Sequence, residues 1–149
     1  MNRRDLLVSG VSVGSLAGVV GLMQAAEAVA GPAAKTAAPA TNDYGKLIES
    51  ASKCVTTGLI CIRHCQKELV AGNKMMADCL QSVLENVAAC ESLIKLAAYE
   101  SSQTKDFAKL TAKLCSECAK LCEKHAHHME ACKNCMEACR ACEKECLAA

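Results

Sequence analysis

CSECAKLCEKHAHHMEACKNCMEACRACEKEC, residues 115–146, holds eight cysteines: Cys115, Cys118, Cys122, then Cys132, Cys135, Cys139, Cys142 and Cys146. Inside each of the two runs every gap is three or four residues, the spacing at which successive side chains stand one turn apart on a single helix face. Each run is therefore a stripe of sulfur at positions where an amphipathic helix usually carries leucine. The ten-residue step from Cys122 to Cys132 breaks the rhythm. In one uninterrupted helix, at about 100° per residue, the two runs would point roughly 80° apart, whereas a turn through His125, Ala126, His127 and His128 lets both face one axis. The step contains neither Gly nor Pro, so a single long helix stays open at this level.

The same spacing extends upstream. Asn42 or Asp43 can cap a first helix that runs to about Val70 and ends at Gly72-Asn73, with Leu47, Cys54, Cys61, Cys65 and Leu69 on its inner stripe. Asn73 then caps a second helix from about Met75 to Tyr99, whose stripe holds Met76, Cys79, Val83, Asn86, Cys90, Leu93 and Ala97. Ser101-Ser102-Gln103-Thr104 supplies the next break. A third helix follows from Lys105 to about Lys124, carrying Phe107, Leu110 or Thr111, Leu114 and three cysteines, and a fourth runs from about Met129 to Leu147. No stretch alternates as a strand does. Four amphipathic helices with short connections predict an all-α, up-down-up-down four-helix bundle with a cysteine-lined core over residues 43–147.

The N-terminal stretch reads differently. Asn2-Arg3-Arg4-Asp5-Leu6-Leu7 precedes a mildly apolar, Gly-containing run to Leu22 and then Ala26-Glu27-Ala28-Val29-Ala30. Residues 1–30 are expected to be a twin-arginine export signal, removed after Ala28 or Ala30, because the run is too short and too rich in Gly and Ser for a membrane anchor. The mature protein is then expected in the periplasm or an internal-membrane lumen, without membrane insertion. Residues 31–42, with Pro32, Pro39 and many alanines, read as a flexible lead-in.

A net charge of +1 over 149 residues gives no reason to invoke nucleic acid or an acidic membrane surface. The chain has 13 cysteines, 6 methionines, no Trp, and only Phe107, Tyr44 and Tyr99 as rings. A core of Ala, Leu, Val and sulfur buries less area per residue than one with aromatic anchors, so the ligand-free form is expected to be less stable than a leucine-rich bundle, and ligand binding to add stability.

Several chemistries compete for thirteen thiols. A disulfide scaffold suits an exported protein, but the count is odd and partners at i, i+3 or i, i+4 on one helix bridge poorly. Iron–sulfur clusters draw on runs such as C-x2-C-x2-C, which do not occur. Zinc fits the C-x-x-C pairs Cys115/Cys118, Cys132/Cys135 and Cys139/Cys142, yet it wants separated, closed tetrahedra rather than a continuous ladder. Cu(I) is soft and accepts two or three bridging thiolates, which gives a capacity of about one Cu(I) per cysteine, with the charges of cation and thiolate cancelling in the core. Zinc or heavy-metal sequestration of the metallothionein kind, and a disulfide-stabilised helical module, are the alternatives. A thiol oxidoreductase would need an exposed, low-pKa Cys with a resolving partner, and no nucleophile, base and orienting acid stand out for a hydrolase. The chain reads as no enzyme.

One pole of such a bundle gathers His64, Met75, Met76, His125, His127, His128 and Met129, with His64 and Met76 best placed to pass ions to the thiolates. The opposite pole, near Leu47, Leu93, Tyr99, Phe107 and Leu110, is expected to be a cysteine-free apolar plug. Asn86, mid-stripe, can donate to a thiolate, ligate weakly through oxygen, or only set the register. The expected metal ligands are Cys54, Cys61, Cys65, Cys79, Cys90 and the eight later cysteines, with His64, Met76 and Asn86.

The runs Cys115-Ser-Glu-Cys118-Ala-Lys-Leu-Cys122 and Cys132-Lys-Asn-Cys135-Met-Glu-Ala-Cys139-Arg-Ala-Cys142 resemble those of the bacterial copper storage proteins, over about residues 43 to 147. With its twin-arginine start the chain is similar to the exported branch of that family. The resemblance implies a tetramer of bundles whose lumens hold many Cu(I) ions, and supply to copper enzymes, notably the membrane methane oxidase of methane-oxidising bacteria.

Overall fold

A computed structural model describes residues 42–149; the export signal, its cleavage sites and all but the last residue of the lead-in lie outside the described residues. Four helices follow one another: α1 Gly45–Val70, α2 Ala77–Ala98, α3 Thr104–Glu123 and α4 Glu130–Ala148, with a short 3-10 turn, Lys74–Met76, ahead of α2. The described residues contain no strand, and none of their helices is long and apolar enough to cross a membrane. Each helix packs on its neighbours in chain order and α4 closes onto α1, while the diagonal pairs α1/α3 and α2/α4 stay apart. The result is the expected four-helix bundle, with a column along its axis that only side chains fill.

The connections use local chemistry that differs in part from the expected caps. Neither Asn42 nor Asp43 caps α1 with its side chain; Tyr44 holds that position, and Asn42 makes the turn leading into it, its Oδ1 accepting from the Tyr44 N–H at 2.7 Å and its carbonyl from the Gly45 N–H at 3.1 Å. Its Nδ2 donates to the Ala97 carbonyl at 3.1 Å, tying the start of α1 to the end of α2. After α1, Gly72 takes φ +93°, a left-handed conformation that glycine adopts without a Cβ clash. Asn73 does not cap α2 with its side chain. Its Nδ2 donates back to Glu68 Oε2 at 3.2 Å, and its carbonyl accepts from the Met76 N–H, so a 3-10 turn launches α2 instead. Between α2 and α3, the Leu96 carbonyl at the end of α2 accepts both from the Ser101 N–H and from Thr104 Oγ1, each at 3.0 Å, tying the start of α3 to the end of α2. Between α3 and α4, Met129 at φ −132°, ψ 102° is extended and breaks the helical path. Residues 115–146 are thus two helices, not one.

Packing follows the sulfur stripes. Gly58 of α1 sits against Val83 and Val87 of α2 so closely that a Cβ would lie 2.5 Å from Val87 Cγ2; the missing side chain lets these two helices approach. At the plug, Leu47, Leu93, Ala97 and Ala108 are buried, and on α3 the inward position belongs to Thr111, whose hydroxyl donates to the Phe107 carbonyl at 2.9 Å. The expected plug needs correction in two places. Leu110 is 49% exposed and Tyr99 79% exposed, because rotation of α3 about its axis buries Thr111 in place of its neighbour and Tyr99 lies past the last turn of α2. Nor is this pole free of cysteine: buried Cys146 stands on the last turns of α4, beside Glu145 and Ala148, which share a surface groove with Lys46 and Leu47.

Candidate metal centre

All thirteen cysteines are buried and none is paired in a disulfide. α1 contributes Cys54, Cys61 and Cys65, α2 Cys79 and Cys90, α3 three and α4 five, every one from the inner stripe read in the sequence. The sulfurs gather into groups whose Sγ atoms lie within 4.8 Å of one another: Cys54/Cys90/Cys115/Cys142, Cys61/Cys65/Cys79/Cys132, Cys61/Cys122/Cys135 and Cys118/Cys135/Cys139. The groups are joined. Cys61 and Cys135 each belong to two of them, Cys54 and Cys139 are 3.5 Å apart, and Cys146 lies 3.9 Å from Cys142. Nearer the other end Cys79 and Cys122 approach to 3.6 Å. Every thiol of the chain therefore belongs to one connected sulfur network running along the bundle axis.

Asn86 sits inside that network, fully buried. Its Nδ2 donates to Cys54 Sγ at 3.2 Å and Cys139 Sγ at 3.4 Å, while its Oδ1 accepts from Cys115 at 3.1 Å. Of the three roles open in the sequence, donation to sulfur is the one these contacts display, and it bridges a four-thiol group to a three-thiol group.

The thiols also set one another's ionisation. Cys142 is lowered to about 5, foremost by hydrogen bonding from Cys115 and then from Cys146 and Cys90. Cys54, Cys65 and Cys135 are held well below the ordinary thiol range, chiefly by Cys115, Cys132 and Cys118 respectively, against the opposing effect of burial. The donors move the other way. Cys115 and Cys146 are pushed up, first through their bonds to Cys142, and Cys122 and Cys139 first through theirs to Cys118, with burial adding in each case. Each of the four groups thus holds at least one thiol biased toward thiolate before any ion arrives.

The His and Met residues of the first-named pole divide between inside and outside. Met76 is fully buried, seated by the 3-10 turn one turn ahead of Cys79. His64, beside Cys65, is half-buried; its Nε2 is enclosed without a hydrogen-bond partner, and its ring is not among the atoms of the four thiol groups. It lines a groove with Leu59, Ile60, Arg63, Lys67 and Ala131. Met75 is exposed, as are His127 and His128, whose rings stand edge to face at 6.4 Å. Met129 and His125 are partly covered. Met136, which the stripe reading passed over, is buried and lines a second groove with His127, His128 and Met129; its spacing of seven from Met129 is the signal that places both on one flank.

The family model of the copper storage proteins matches residues 40–149, the whole of the bundle. This chain belongs to that family. Its fold is shared with the apo form of copper storage protein 3 from Bacillus subtilis, at 24% identity and a TM-score of 0.62, over 70% of this chain and 96% of that one. It is shared equally with the cytosolic copper storage protein of Streptomyces lividans, in a structure with five coppers (24% identity, TM-score 0.64, 70% and 91% covered) and in one loaded with 10 copper equivalents (24%, 0.64, 76% and 92%). No curated relative matches the chain. The copper storage fold expected from the cysteine runs is the fold observed, and the stripes that pointed to it are the walls of the sulfur column.

Proposed function

We propose that this member of the copper storage family is a non-enzymatic store that binds many ions as Cu(I), about one per cysteine, and yields them later to copper enzymes. The observation that carries the reading is the single connected network of thirteen buried thiols in a core with no buried Lys, Arg, His, Asp or Glu among the described residues; its other buried polar side chains are Asn86, Thr104 and Thr111. Cargo in such a column has to cancel the thiolate charge by itself, because an uncompensated buried ion costs several kcal/mol or more. One Cu(I) per thiolate does so, and the ion's acceptance of two or three soft ligands suits sulfurs shared between groups. Met76 at the His/Met pole, with His64 next to Cys65, favours entry at that end. Export by a twin-arginine signal, a tetramer of bundles and supply to a membrane methane oxidase complete the reading on the strength of the family resemblance.

Anaerobic titration of the reduced chain with Cu(I), against a competing chelator and with thiols counted in parallel, tests it. Saturation at about one ion per cysteine with loss of all thiol reactivity is expected; saturation after one or two ions would sink the storage reading.

A further inference from the structure

The condition that suits the column to Cu(I) selects a second cargo. A core whose buried side chains include no Lys, Arg, His, Asp or Glu offers nothing but sulfur to balance charge, so it favours ions whose complex with the available thiolates is neutral. A divalent cation bound by all four thiolates of either four-thiol group would leave two negative charges buried with no cation beside them. A trivalent centre bound by three thiolates is neutral. Trivalent arsenic meets that condition and is also delivered neutral, as arsenous acid at ordinary pH, so it can enter without shedding a hydration shell bound by charge.

We propose that the bundle takes up trivalent arsenic as arsenous acid, one atom in each of three separate thiol groups. Each step is an exchange without redox change. Three As–O bonds break and three As–S bonds form, and each hydroxyl leaves as water with a proton taken from a thiol or, where the sulfur is already a thiolate, from solvent, so no oxidant or counter-ion is required. The number three follows from the geometry. The group of Cys54, Cys90, Cys115 and Cys142 shares no member with that of Cys61, Cys65, Cys79 and Cys132, and Cys118/Cys135/Cys139 is separate from both. Either four-thiol group can supply three sulfurs and leave one free, with all Sγ atoms within 4.8 Å of each other before binding. The fourth cluster, Cys61/Cys122/Cys135, reuses Cys135 and can only substitute for Cys118/Cys135/Cys139, not add to it. Cys135 is consequently the one thiol whose loss removes a site outright.

The inference does not depend on copper loading and is tested beside it. The reduced full chain is incubated with arsenite alone under anaerobic conditions and weighed by non-denaturing mass spectrometry, and the same preparation is titrated with Cu(I). Three arsenic atoms per chain are expected, each accompanied by the loss of three hydrogens, with helicity retained. Cys135→Ser should stop at two atoms, whereas Cys118→Ser and Cys61→Ser, which leave an alternative trio, should still reach three. Failure of the folded chain to retain arsenic, a ratio other than three hydrogens per atom, or three atoms still bound by Cys135→Ser would overturn the proposal. Normal filling with Cu(I) alongside any of these results would leave the storage reading standing, and arsenic uptake without Cu(I) filling would sink that reading alone.

Discussion

Asn86 shows how much one side chain decides in a core built of sulfur. A single buried carboxamide meets Cys54, Cys139, Cys115 and Cys90, pointing its donors at two sulfurs and its acceptor at the other two. Replacement by Ala leaves a cavity and removes all these contacts at once, so Asn86→Ala is expected to destabilise the metal-free chain by about 1–3 kcal/mol in denaturant unfolding. An unchanged unfolding midpoint would mean that the amide only fills space. That Asn86 lies on the sulfur stripe was legible from its spacing between Cys79 and Cys90. Which atoms it faces was not, because the amide's orientation depends on cross-helix neighbours that a one-dimensional period does not contain.

At the level of the helices, the periodicity was sufficient because thiols at three-and-four spacing leave only one face to bury, and all thirteen stand where that face predicts. Legibility failed where two local interactions compete. Asn73 could cap α2 or reach back to Glu68, and the choice rests on the turn that Gly72 makes. Leu110 and Thr111 are neighbours about 100° apart on α3, and only the packing of that helix against α2 and α4 decides which faces in. Gly58 gave no signal at all, since a glycine inside a helix pattern normally counts against the helix. Its role is the close approach of α1 to α2. Gly58→Ala drives a methyl to 2.5 Å from Val87 Cγ2, and despite alanine's better helix propensity the variant is expected to lose about 1–3 kcal/mol of stability, measured by thermal unfolding; combining it with Val87→Ala should recover much of the loss.

For the whole molecule, the opposed thiol shifts fix how stability follows pH. Cys142, lowered from an ordinary 9.0 to about 5, is ionised in the fold but protonated in the unfolded chain between those values, so the unfolded state binds the extra proton and stability rises with pH across that window. Cys115, Cys122, Cys139 and Cys146 are raised above 9.0. They keep their protons in the fold above pH 9 and lose them on unfolding, so their contribution is full below that pH and declines above it. The metal-free chain is expected to be most stable near pH 9 and to weaken on either side. With Cu(I) bound, the folded thiols carry no protons, and stability should climb to about pH 9 and then level off, with no alkaline decline. Unfolding midpoints of both forms across pH 5 to 11 check this; an alkaline decline of equal size in both would contradict it.

The sulfur network is also narrow. Between the group containing Cys142 and the rest of the column, the short link is the 3.5 Å approach of Cys54 to Cys139, with Asn86 alongside, and beyond Cys146 the apolar end built from Leu47, Leu93 and Thr111 offers no further sulfur. On the proposed entry near Met76, cargo bound for the Cys142 group passes the Cys54–Cys139 link. Ions held beyond that link are then expected to be the last to leave, a reserve set apart by one pair of thiols from a more readily drawn fraction.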